Sequence, residues 1–337
     1  MLESPFRITF DTNPDDCNLH CDMCEGHSQI NGNARSGFSK RRMPFPTIQN
    51  VLHDLRDCPP REIIPSTMGE PLLYRDFDKI IELCSTSGIK LNLTTNGTFP
   101  RGGVEYWAER LLPICSDIKV SFNGIKKGTQ EAIMKGAEFE EVKDNLLFLA
   151  DVRKRLRSNG LKCGTLTLQP TFREKNLEEI PLLLILAQSI GFERVKGHHL
   201  WVHDDSMACE SLLRSPDSRR RWNETARFCA SLVKVWMLSG REIRLVNFEP
   251  VPVEVESGEV QADWVCPFLG REMWVNTEGR FDVCCAPDDL RRTLGDFGNV
   301  LERDVLDLWR SQEYSELCEN YRSRDICKSC LLRRSEV

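Results

Sequence analysis

The chain has 337 residues, a hydrophobic content of 40% and a formal net charge of −6. Its length is enough for one large α/β domain with a smaller module and a sizeable core, and its composition is ordinary for a globular protein. A negative net charge gives no reason to expect general affinity for nucleic acid.

The first residues, MLESPFRITF, have neither the basic nor the apolar region of a signal peptide. No stretch approaches the roughly 18 apolar residues that a membrane span requires. We therefore expect a cytoplasmic protein without a membrane partner.

Short apolar segments alternate with amphipathic helical patterns along the first two thirds of the chain. The predicted strands are Arg7–Asp11, Glu62–Ser66, Lys90–Thr94, Asp117–Ser121, Thr165–Thr171 and Arg194–Val202. The predicted helices are at about 46–56, 74–87, 104–113, 137–158, 176–190 and 217–238. Repeated β-then-α units predict a parallel sheet with right-handed crossovers. Six units are too few for a closed eight-fold barrel, so we predict an α/β fold with an open, partial (β/α)6 TIM-like barrel.

The character of the sequence changes after the last of these units. Residues 250–265 are acidic and lack a helical period, which indicates a linker. The following part contains a hairpin-like segment, EMWVNTEGRFDVCC, then a helical pattern and CKSC. We predict a barrel domain at 1–249, a linker at 250–265 and a small C-terminal domain at 266–337.

Polar or glycine-marked segments follow most of the predicted strands. In strand order they are DTNPDD, STMGEP, TTNG, SFNG, Gln169-Pro170 and His198-His199. Ligands of parallel α/β folds gather at the carboxyl ends of the strands, where the loops converge. The pattern therefore predicts one shared pocket at that edge of the sheet.

Cysteine is unusually abundant, with fifteen residues. In a reducing compartment, clustered cysteines usually bind metal or take part in chemistry. Cys17, Cys21 and Cys24 form CNLHCDMC, and such short spacing favours zinc or an iron–sulfur centre. Three thiolates fit three corners of a [4Fe–4S] cube and leave one iron open for chemistry. The alternative is a zinc site completed by His20 or His27.

CxxxCxxC at the end of the first strand and GEP at the end of the second resemble the radical S-adenosylmethionine (radical SAM) superfamily, over about residues 1–205. The resemblance implies a [4Fe–4S] cluster whose open iron binds the amino and carboxylate groups of SAM. It implies reductive cleavage of SAM to a 5′-deoxyadenosyl radical that abstracts a substrate hydrogen. It also implies an electron donor of the flavodoxin or ferredoxin type.

Individual residues follow from this resemblance, with Cys17, Cys21 and Cys24 as cluster ligands. The candidate SAM-binding residues that match the family are Gly69, Glu70, Pro71, Asn96, Ser121 and Asn123. Gln169 is a further candidate because of its polar position on the fifth strand. Glu70 can accept a hydrogen bond from the amine of SAM. Asn96 and Asn123 each precede a glycine, so turn formation is the alternative interpretation of both. Met68 and Met23 depart from the glycine and the aromatic residue that the family often has there.

A second group of cysteines lies near the end of the chain. Cys266, Cys284, Cys327 and Cys330, with Gly279 at a tight turn, resemble the SPASM or twitch domain of many radical SAM enzymes, over about residues 266–333. The resemblance implies one auxiliary [4Fe–4S] cluster with full protein ligation. Ligand count cannot separate iron–sulfur from zinc, so a zinc site is the alternative.

Two further residues are candidates for chemistry. Strand alternation would point Cys285 to the face opposite Cys284, where its thiol could donate a hydrogen atom to a substrate radical. Alternation also places His199 and Trp201 on one face, and an imidazole of ordinary pKa could move a proton. The alternative for His199 is a satisfied core histidine.

We therefore predict a radical SAM enzyme that acts on a small natural product, such as a sugar, an aminocyclitol or a nucleoside, with the auxiliary cluster assisting electron transfer. A peptide maturase or epimerase of the same superfamily is the alternative. A non-catalytic iron–sulfur or zinc-binding protein is a third possibility, but such a protein needs no SAM pocket.

Overall fold

The structure is a computed structural model that describes residues 3–28, 40–66, 68–254, 260, 262–286, 288–330 and 332–334. Parts of the predicted linker, 255–259 and 261, lie outside the described residues. None of the helices within these ranges combines the length and the apolar character that crossing a membrane requires. The chain forms two compact units, which comprise Met1–Pro14, Lys40–Leu91 and Val255–Val337 in the first and Asp15–Ser39 and Asn92–Glu254 in the second.

Strands and helices alternate along the described chain. The strands are β1 (Arg7–Phe10), β2 (Glu62–Ile64), β3 (Lys90–Thr95), β4 (Cys115–Ser121), β5 (Thr165–Gln169), β6 (Thr171–Phe172), β7 (Arg194–Lys196), β8 (His198–His199), β9 (Arg244–Val246), β10 (Glu272–Val275) and β11 (Phe281–Asp282). The α-helices are α1 (Phe45–Asp54), α2 (Phe77–Ser87), α3 (Gly103–Leu111), α4 (Lys127–Ile133), α5 (Phe139–Ser158), α6 (Ile180–Ser189), α7 (Pro216–Leu238), α8 (Asp288–Arg291), α9 (Val305–Trp309), α10 (Gln312–Asn320) and α11 (Asp325–Lys328).

In the first unit, β1 lies between two parallel neighbours, β2 and β10. Arg7 is the register partner of both Glu62 and Glu272, and its guanidinium forms ion pairs with both carboxylates. Opposite charges in register fix the pairing, because a slip of one residue would separate them. The β1 side chains Ile8 and Phe10 are fully buried in the core of this unit.

The second unit contains four strands, β4, β5, β7 and β9, that pair in parallel in this order. Helices α3 to α7 belong to the same unit. In α5, Leu146 and Leu149 are fully buried, whereas Leu147 and Phe148 remain exposed, as expected for an amphipathic helix with one face on the core. The α/β fold class with parallel strands, predicted from the sequence, is therefore confirmed.

The fifth and sixth predicted strands are each interrupted. Pro170 separates β5 from β6 and has no N–H to donate, and Gly197 separates β7 from β8. A Cβ atom at Gly197 would lie 1.9 Å from the ring of Phe172, so only glycine fits there. Beyond these breaks, β6 and β8 pair with each other in a separate two-stranded sheet. The sequence analysis also missed α4, β9 and the pairing of β10 with β1.

The predicted C-terminal hairpin is present as β10 and β11, which are antiparallel. Gly279 has a φ of +82° in the connecting turn, and a Cβ atom there would lie 2.6 Å from Asn299 Oδ1. The turn is closed by Asn276, whose side-chain oxygen accepts hydrogen bonds from the N–H groups of Glu278 and Arg280, both 2.9 Å long. The positive φ of Gly279 and the close approach of Asn299 explain why the turn requires glycine at this position.

Candidate active site

The three N-terminal cysteines lie on a loop of the second unit that is anchored through its backbone. The N–H of His20 donates to Lys135 O at 2.8 Å, and the N–H of Asp22 donates to Ile133 O at 2.9 Å. The Leu19 side chain is buried. These contacts attach the loop to the end of α4 and leave the three thiols only half-buried.

The thiols of the loop lie near enough to influence one another electrostatically. Burial raises the pKa of Cys21, and the neighbouring Cys24 and Cys17 raise it further because thiolates repel. A raised pKa favours the protonated thiol. A bound iron would favour the thiolate instead, since cysteines that bind a metal are deprotonated. Within the described ranges, no three His, Cys, Asp or Glu side chains are placed to share one metal ion. Cluster ligands each bind a different iron of the cube, so the sulfur donor set fits a [4Fe–4S] cluster.

Cys17 receives hydrogen bonds at its sulfur. The N–H of Leu19 donates to Sγ at 3.4 Å, and Asn96 Nδ2 donates to it at 3.9 Å. The same Asn96 amide also donates to Asn18 Oδ1 at 2.9 Å, while its oxygen accepts from the N–H of Thr98 at 3.0 Å. Asn96 therefore forms the expected turn and also contacts a cysteine of the loop. Its role toward SAM stays a prediction.

The predicted residues on the fourth and fifth strands are brought together. Ser121 and Gln169 are register partners at the ends of β4 and β5, and both are half-buried. Asn123, by contrast, is buried, and its Oδ1 accepts a hydrogen bond from the N–H of Thr171 at 2.7 Å. Asn176 Nδ2 also donates to the Asn123 carbonyl at 2.8 Å. Asn123 thus holds the loop, and Ser121 and Gln169 offer the freer polar groups.

The GEP segment belongs to the first unit. Gly69 has a φ of +75°, and Pro71 begins a short 3₁₀ helix. The Glu70 side chain is buried, and its Oε1 accepts a hydrogen bond from the N–H of Leu72 at 3.3 Å. Asn13 Nδ2 donates to the Glu70 carbonyl at 2.9 Å. The segment is therefore rigidly held, and SAM binding by Gly69, Glu70 and Pro71 stays a prediction.

The two histidines of β8 differ in environment. The His199 ring packs edge-on against Trp222 at 4.8 Å and against Phe172 at 5.6 Å. Its Nδ1 is buried and has no hydrogen-bond partner among the described residues. Burial, with a smaller effect of His198, lowers the pKa of His199 to about 4. His198 Nε2 lies 3.3 Å from Thr171 Oγ1. His199 is therefore neutral near pH 7, whereas an unperturbed imidazole would titrate there.

A small, partly open pocket, with about 230 Å³ of space that includes open solvent, adjoins the cysteine loop. The residues that line it are Asp22, Met23, Ser28, Trp201, His203, Asp204 and Met207. The rings of Trp201 and His203 stack at 6.1 Å in its wall. Strand β8 ends at His199, so the alternation expected for Trp201 does not extend to it, and Trp201 contributes to this cavity instead.

The C-terminal cysteines come together in the first unit. Burial raises the pKa of Cys266 to about 11, and Cys284 and Cys330 raise it further. The pKa of Cys327 is raised in the same way, by burial and then by Cys284, Cys266 and Cys330. Each of the four predicted ligands is therefore close enough to affect another electrostatically. Four sulfur donors in one group fit a cluster with full protein ligation.

Cys285 lies with this group rather than opposite it. Strand β11 ends at Asp282, so the alternation expected between Cys284 and Cys285 does not apply. The Cys285 thiol donates a hydrogen bond to Cys284, which lowers the pKa of Cys284, and Cys285 also interacts with Cys330 and Cys266. The predicted orientation of Cys285 is thus wrong, and its role as a hydrogen donor stays a prediction.

Sequence reasoning missed two buried arginines next to the cysteines. Arg173 is fully buried and its Nη1 lies 2.6 Å from Asp22 Oδ1, inside the cysteine loop. Arg333 is also buried and donates to the carbonyl of Cys327 at 3.1 Å. Two features of the sequence could have drawn attention to the Arg173–Asp22 pair. Arg173 comes just after the fifth predicted strand, and Asp22 lies between two cysteines of the loop. Nothing in the local sequence distinguishes Arg333 from Arg334.

Two parts of the chain match known protein families. Residues 14–184 match the radical SAM superfamily, and residues 266–331 match an iron–sulfur cluster-binding domain, SPASM. The 7-carboxy-7-deazaguanine synthase of Aquifex aeolicus (strain VF5) is 26% identical over 164 residues, which are 48% of this chain and 68% of that protein.

Several solved structures have a similar fold, of which two are described. The first is Streptococcus suis SuiB bound to its precursor peptide SuiA, with a TM-score of 0.64 and 14% identity, over 98% of this chain and 72% of SuiB. The second is BtrN in complex with AdoMet and 2-DOIA, with a TM-score of 0.50 and 15% identity, over 98% of this chain and 93% of BtrN. At these identities the similarity shows the fold alone.

Proposed function

The chain belongs to the radical SAM superfamily, and from this premise we propose that it abstracts a hydrogen atom from a small natural product such as a sugar, an aminocyclitol or a nucleoside. Membership of this superfamily makes the chain an enzyme that uses SAM and a [4Fe–4S] cluster, with SPASM-type iron–sulfur binding at its C-terminal end. A non-catalytic iron–sulfur or zinc-binding protein is thereby set aside.

Cysteines of the two groups would hold the two clusters. Cys17, Cys21 and Cys24 would bind the SAM cluster, and Cys266, Cys284, Cys327 and Cys330 would bind the auxiliary cluster. When bound, the SAM cluster and SAM supply the 5′-deoxyadenosyl radical. We propose that Glu70 accepts from the SAM amine and that Ser121 and Gln169 hydrogen-bond to the cofactor. The neutral His199 would offer a ring nitrogen as a hydrogen-bond partner, because its lowered pKa leaves no proton to donate as an imidazolium.

The cavity beside the cysteine loop is the observation that supports a small polar substrate. Much of its volume is open to solvent, so its lining, rather than its size, bears on the substrate. Its lining offers the carboxylate of Asp204, the imidazole of His203 and the indole face of Trp201, which together suit hydroxyl and amine groups. BtrN, which binds the small molecule 2-DOIA, has nearly the same extent as this chain.

A peptide substrate is the second candidate. SuiB has a higher TM-score than BtrN, and its structure holds the precursor peptide SuiA. On this proposal the enzyme would be a peptide maturase or epimerase. Cys285, which interacts with the predicted ligands of the auxiliary cluster, would then be the first candidate to donate a hydrogen atom to the substrate radical.

We propose that the auxiliary cluster assists electron transfer and that a flavodoxin or ferredoxin-type protein supplies the electron for SAM cleavage. We propose a cytoplasmic location, in keeping with the many free thiols.

The first experiment is an anaerobic assay of the iron-loaded chain with SAM and dithionite. We expect 5′-deoxyadenosine to form, and Cys21→Ala to abolish it, because two thiolates cannot hold the cube. Cys163→Ala is the matched control, since Cys163 is a half-buried thiol outside both groups. A wild-type chain with full iron that never cleaves SAM would contradict the proposal.

A second experiment separates the two substrate classes. Carbon-deuterated sugars, aminocyclitols and nucleosides form one set, and deuterated peptides form the other. Transfer of deuterium into 5′-deoxyadenosine from a member of the first set supports the small-molecule proposal. Transfer only from peptides would replace it with the peptide candidate.

A further inference from the structure

Asp22 is an acidic residue within the cysteine loop, between Cys21 and Cys24. Its carboxylate is largely buried, with 10% side-chain exposure, and forms an ion pair of 2.6 Å with Arg173 Nη1. The Arg173 side chain has no solvent exposure at all. A guanidinium in such a place is stable only when anions or acceptors compensate it, so the pair is a fixed feature of the loop.

A second carboxylate joins the pair. Glu210 Oε2 lies 3.2 Å from Arg173 Nε, and Lys175 Nζ lies 3.6 Å from Asp22 and 3.7 Å from Glu210. The N–H of Lys175 also donates to Glu210 at 3.0 Å. Two cations and two carboxylates thus alternate, and their formal charges cancel.

The group connects both walls of the cavity. Asp22 lines the cavity from the cysteine loop. Glu210 ends the 3₁₀ helix Asp205–Glu210, whose Met207 lines it from the other side. Arg173 contacts both carboxylates, so one guanidinium sets the position of the loop and of the opposite wall.

We propose that the Asp22–Arg173 pair is a positioning and charge-balancing device for the SAM cluster. In it, Arg173 neutralises the carboxylate that the cysteine loop carries, and the balance sets the reduction potential of the cluster. The inference concerns the cluster held by Cys17, Cys21 and Cys24 and does not depend on the proposed substrate.

The expected effects follow from electrostatics. Reduction adds an electron to the cluster, so an uncompensated carboxylate nearby disfavours it and an uncompensated guanidinium favours it. Arg173→Gln should therefore shift the midpoint potential to more negative values. Asp22→Asn should shift it to more positive values. The double variant should return close to the wild-type potential, because both charges are then absent.

The experiment is an anaerobic redox titration of the full iron-loaded chain, followed by electron paramagnetic resonance. A variant with alanine at all three N-terminal cysteines gives the signal of the auxiliary cluster, which is subtracted. Iron content is measured for every variant, so that a shift is compared only between fully loaded proteins. SAM cleavage is not needed for the readout.

The matched control is a partly buried ion pair in the same unit, in which the arginine is buried and the glutamate is 34% exposed. Arg153 Nη1 lies 2.6 Å from Glu193 Oε2, before β7 begins. Arg153→Gln and Glu193→Gln should leave the potential unchanged, whatever they do to stability.

A purely structural pair would behave differently from a charge-balancing one. It would give shifts of the same sign in both single variants, or none, and either result at full iron overturns the proposal. If Arg173→Gln fails to hold iron, Asp22→Asn and the conservative Arg173→Lys decide between a charge-balancing and a purely structural pair. The first must still shift the potential positively, and the second must stay near wild type.

Discussion

Gly97 occupies a position where two constraints meet. Its φ is +83°, and a Cβ atom would lie 2.8 Å from a methyl of Val120 and 2.9 Å from a methyl of Val142. We expect Gly97→Ala to cost about 2–5 kcal/mol, from the left-handed backbone and from overpacking. The matched control is Gly160→Ala, with a φ of +82° and nothing within 4 Å of the added atom. Thermal unfolding of the holoenzymes should show the larger loss for Gly97→Ala, and equal losses would contradict the packing argument.

Asn96 provides a second test at the level of one side chain. Its Nδ2 donates to Cys17 Sγ at 3.9 Å, and hydrogen bonds to a cluster sulfur stabilise the reduced, more negative state. Asn96→Ala should therefore make the potential of the SAM cluster more negative. Asn145→Ala is the control, because Asn145 Nδ2 donates to the Gly97 carbonyl at 2.9 Å, in the same loop but not to sulfur. A redox titration in which both variants shift equally would contradict the assigned contact.

His199 should contribute to the dependence of stability on pH. Its pKa in the folded protein is about 4, below the ordinary 6.5, so between these values the unfolded chain binds more protons. Stability should therefore be unaffected above about pH 6.5 and should fall by about 2–3 kcal/mol toward pH 4. Anaerobic thermal unfolding at pH 7.5 and pH 5 should show a smaller loss for His199→Leu than for the wild type. An unchanged loss would show that His199 is not the titrating group.

Among the short elements, the segment 332–334 is held in place by the side chain of Arg333. Its Nε donates to Trp264 O at 2.8 Å and its Nη2 donates to Ala262 O at 2.9 Å, just before Cys266. Its Nη1 donates to Cys327 O at 3.1 Å. One guanidinium therefore joins two parts of the auxiliary ligand set that are distant in sequence.

Arg333→Met should release the auxiliary cluster. The iron content should fall from about eight to about four per chain, since each cube holds four irons. Arg334→Met is the neighbouring control, because Arg334 is exposed and pairs with Val265 through its backbone. Iron analysis of the purified proteins checks this. Equal iron in both variants would contradict the role of Arg333.

Most of the regular elements could be predicted because they carry a local signal. Helix α2 shows a clear helical period, and Gly88 ends it in the left-handed conformation, as expected. Strand β10 has no such signal for its partner, since pairing with β1 joins residues that are far apart in sequence. The same holds for the breaks at Pro170 and Gly197, where the steric role of Gly197 depends on the ring of Phe172.

At the scale of the whole molecule, the two groups of cysteines were easier to predict than the residues around them. The cysteines are visible because thiolate spacing is a local constraint of the cluster. The charged groups beside them are not visible in this way, because Arg173 and Asp22 are 151 positions apart in the sequence. The orientation of Cys285 was wrong for a related reason, since alternation holds only while a strand continues.

The two sets of thiols should load independently, because each lies within one compact unit. Alanine at Cys17, Cys21 and Cys24 should leave about four irons per chain, and so should alanine at Cys327 and Cys330, whereas the wild type should hold about eight. Only the first variant should lose formation of 5′-deoxyadenosine from SAM by excess dithionite, because the open iron belongs to that cluster. A wild type with four irons and one zinc would replace the auxiliary cluster with a zinc site. Loss of all iron in both variants would contradict independent loading.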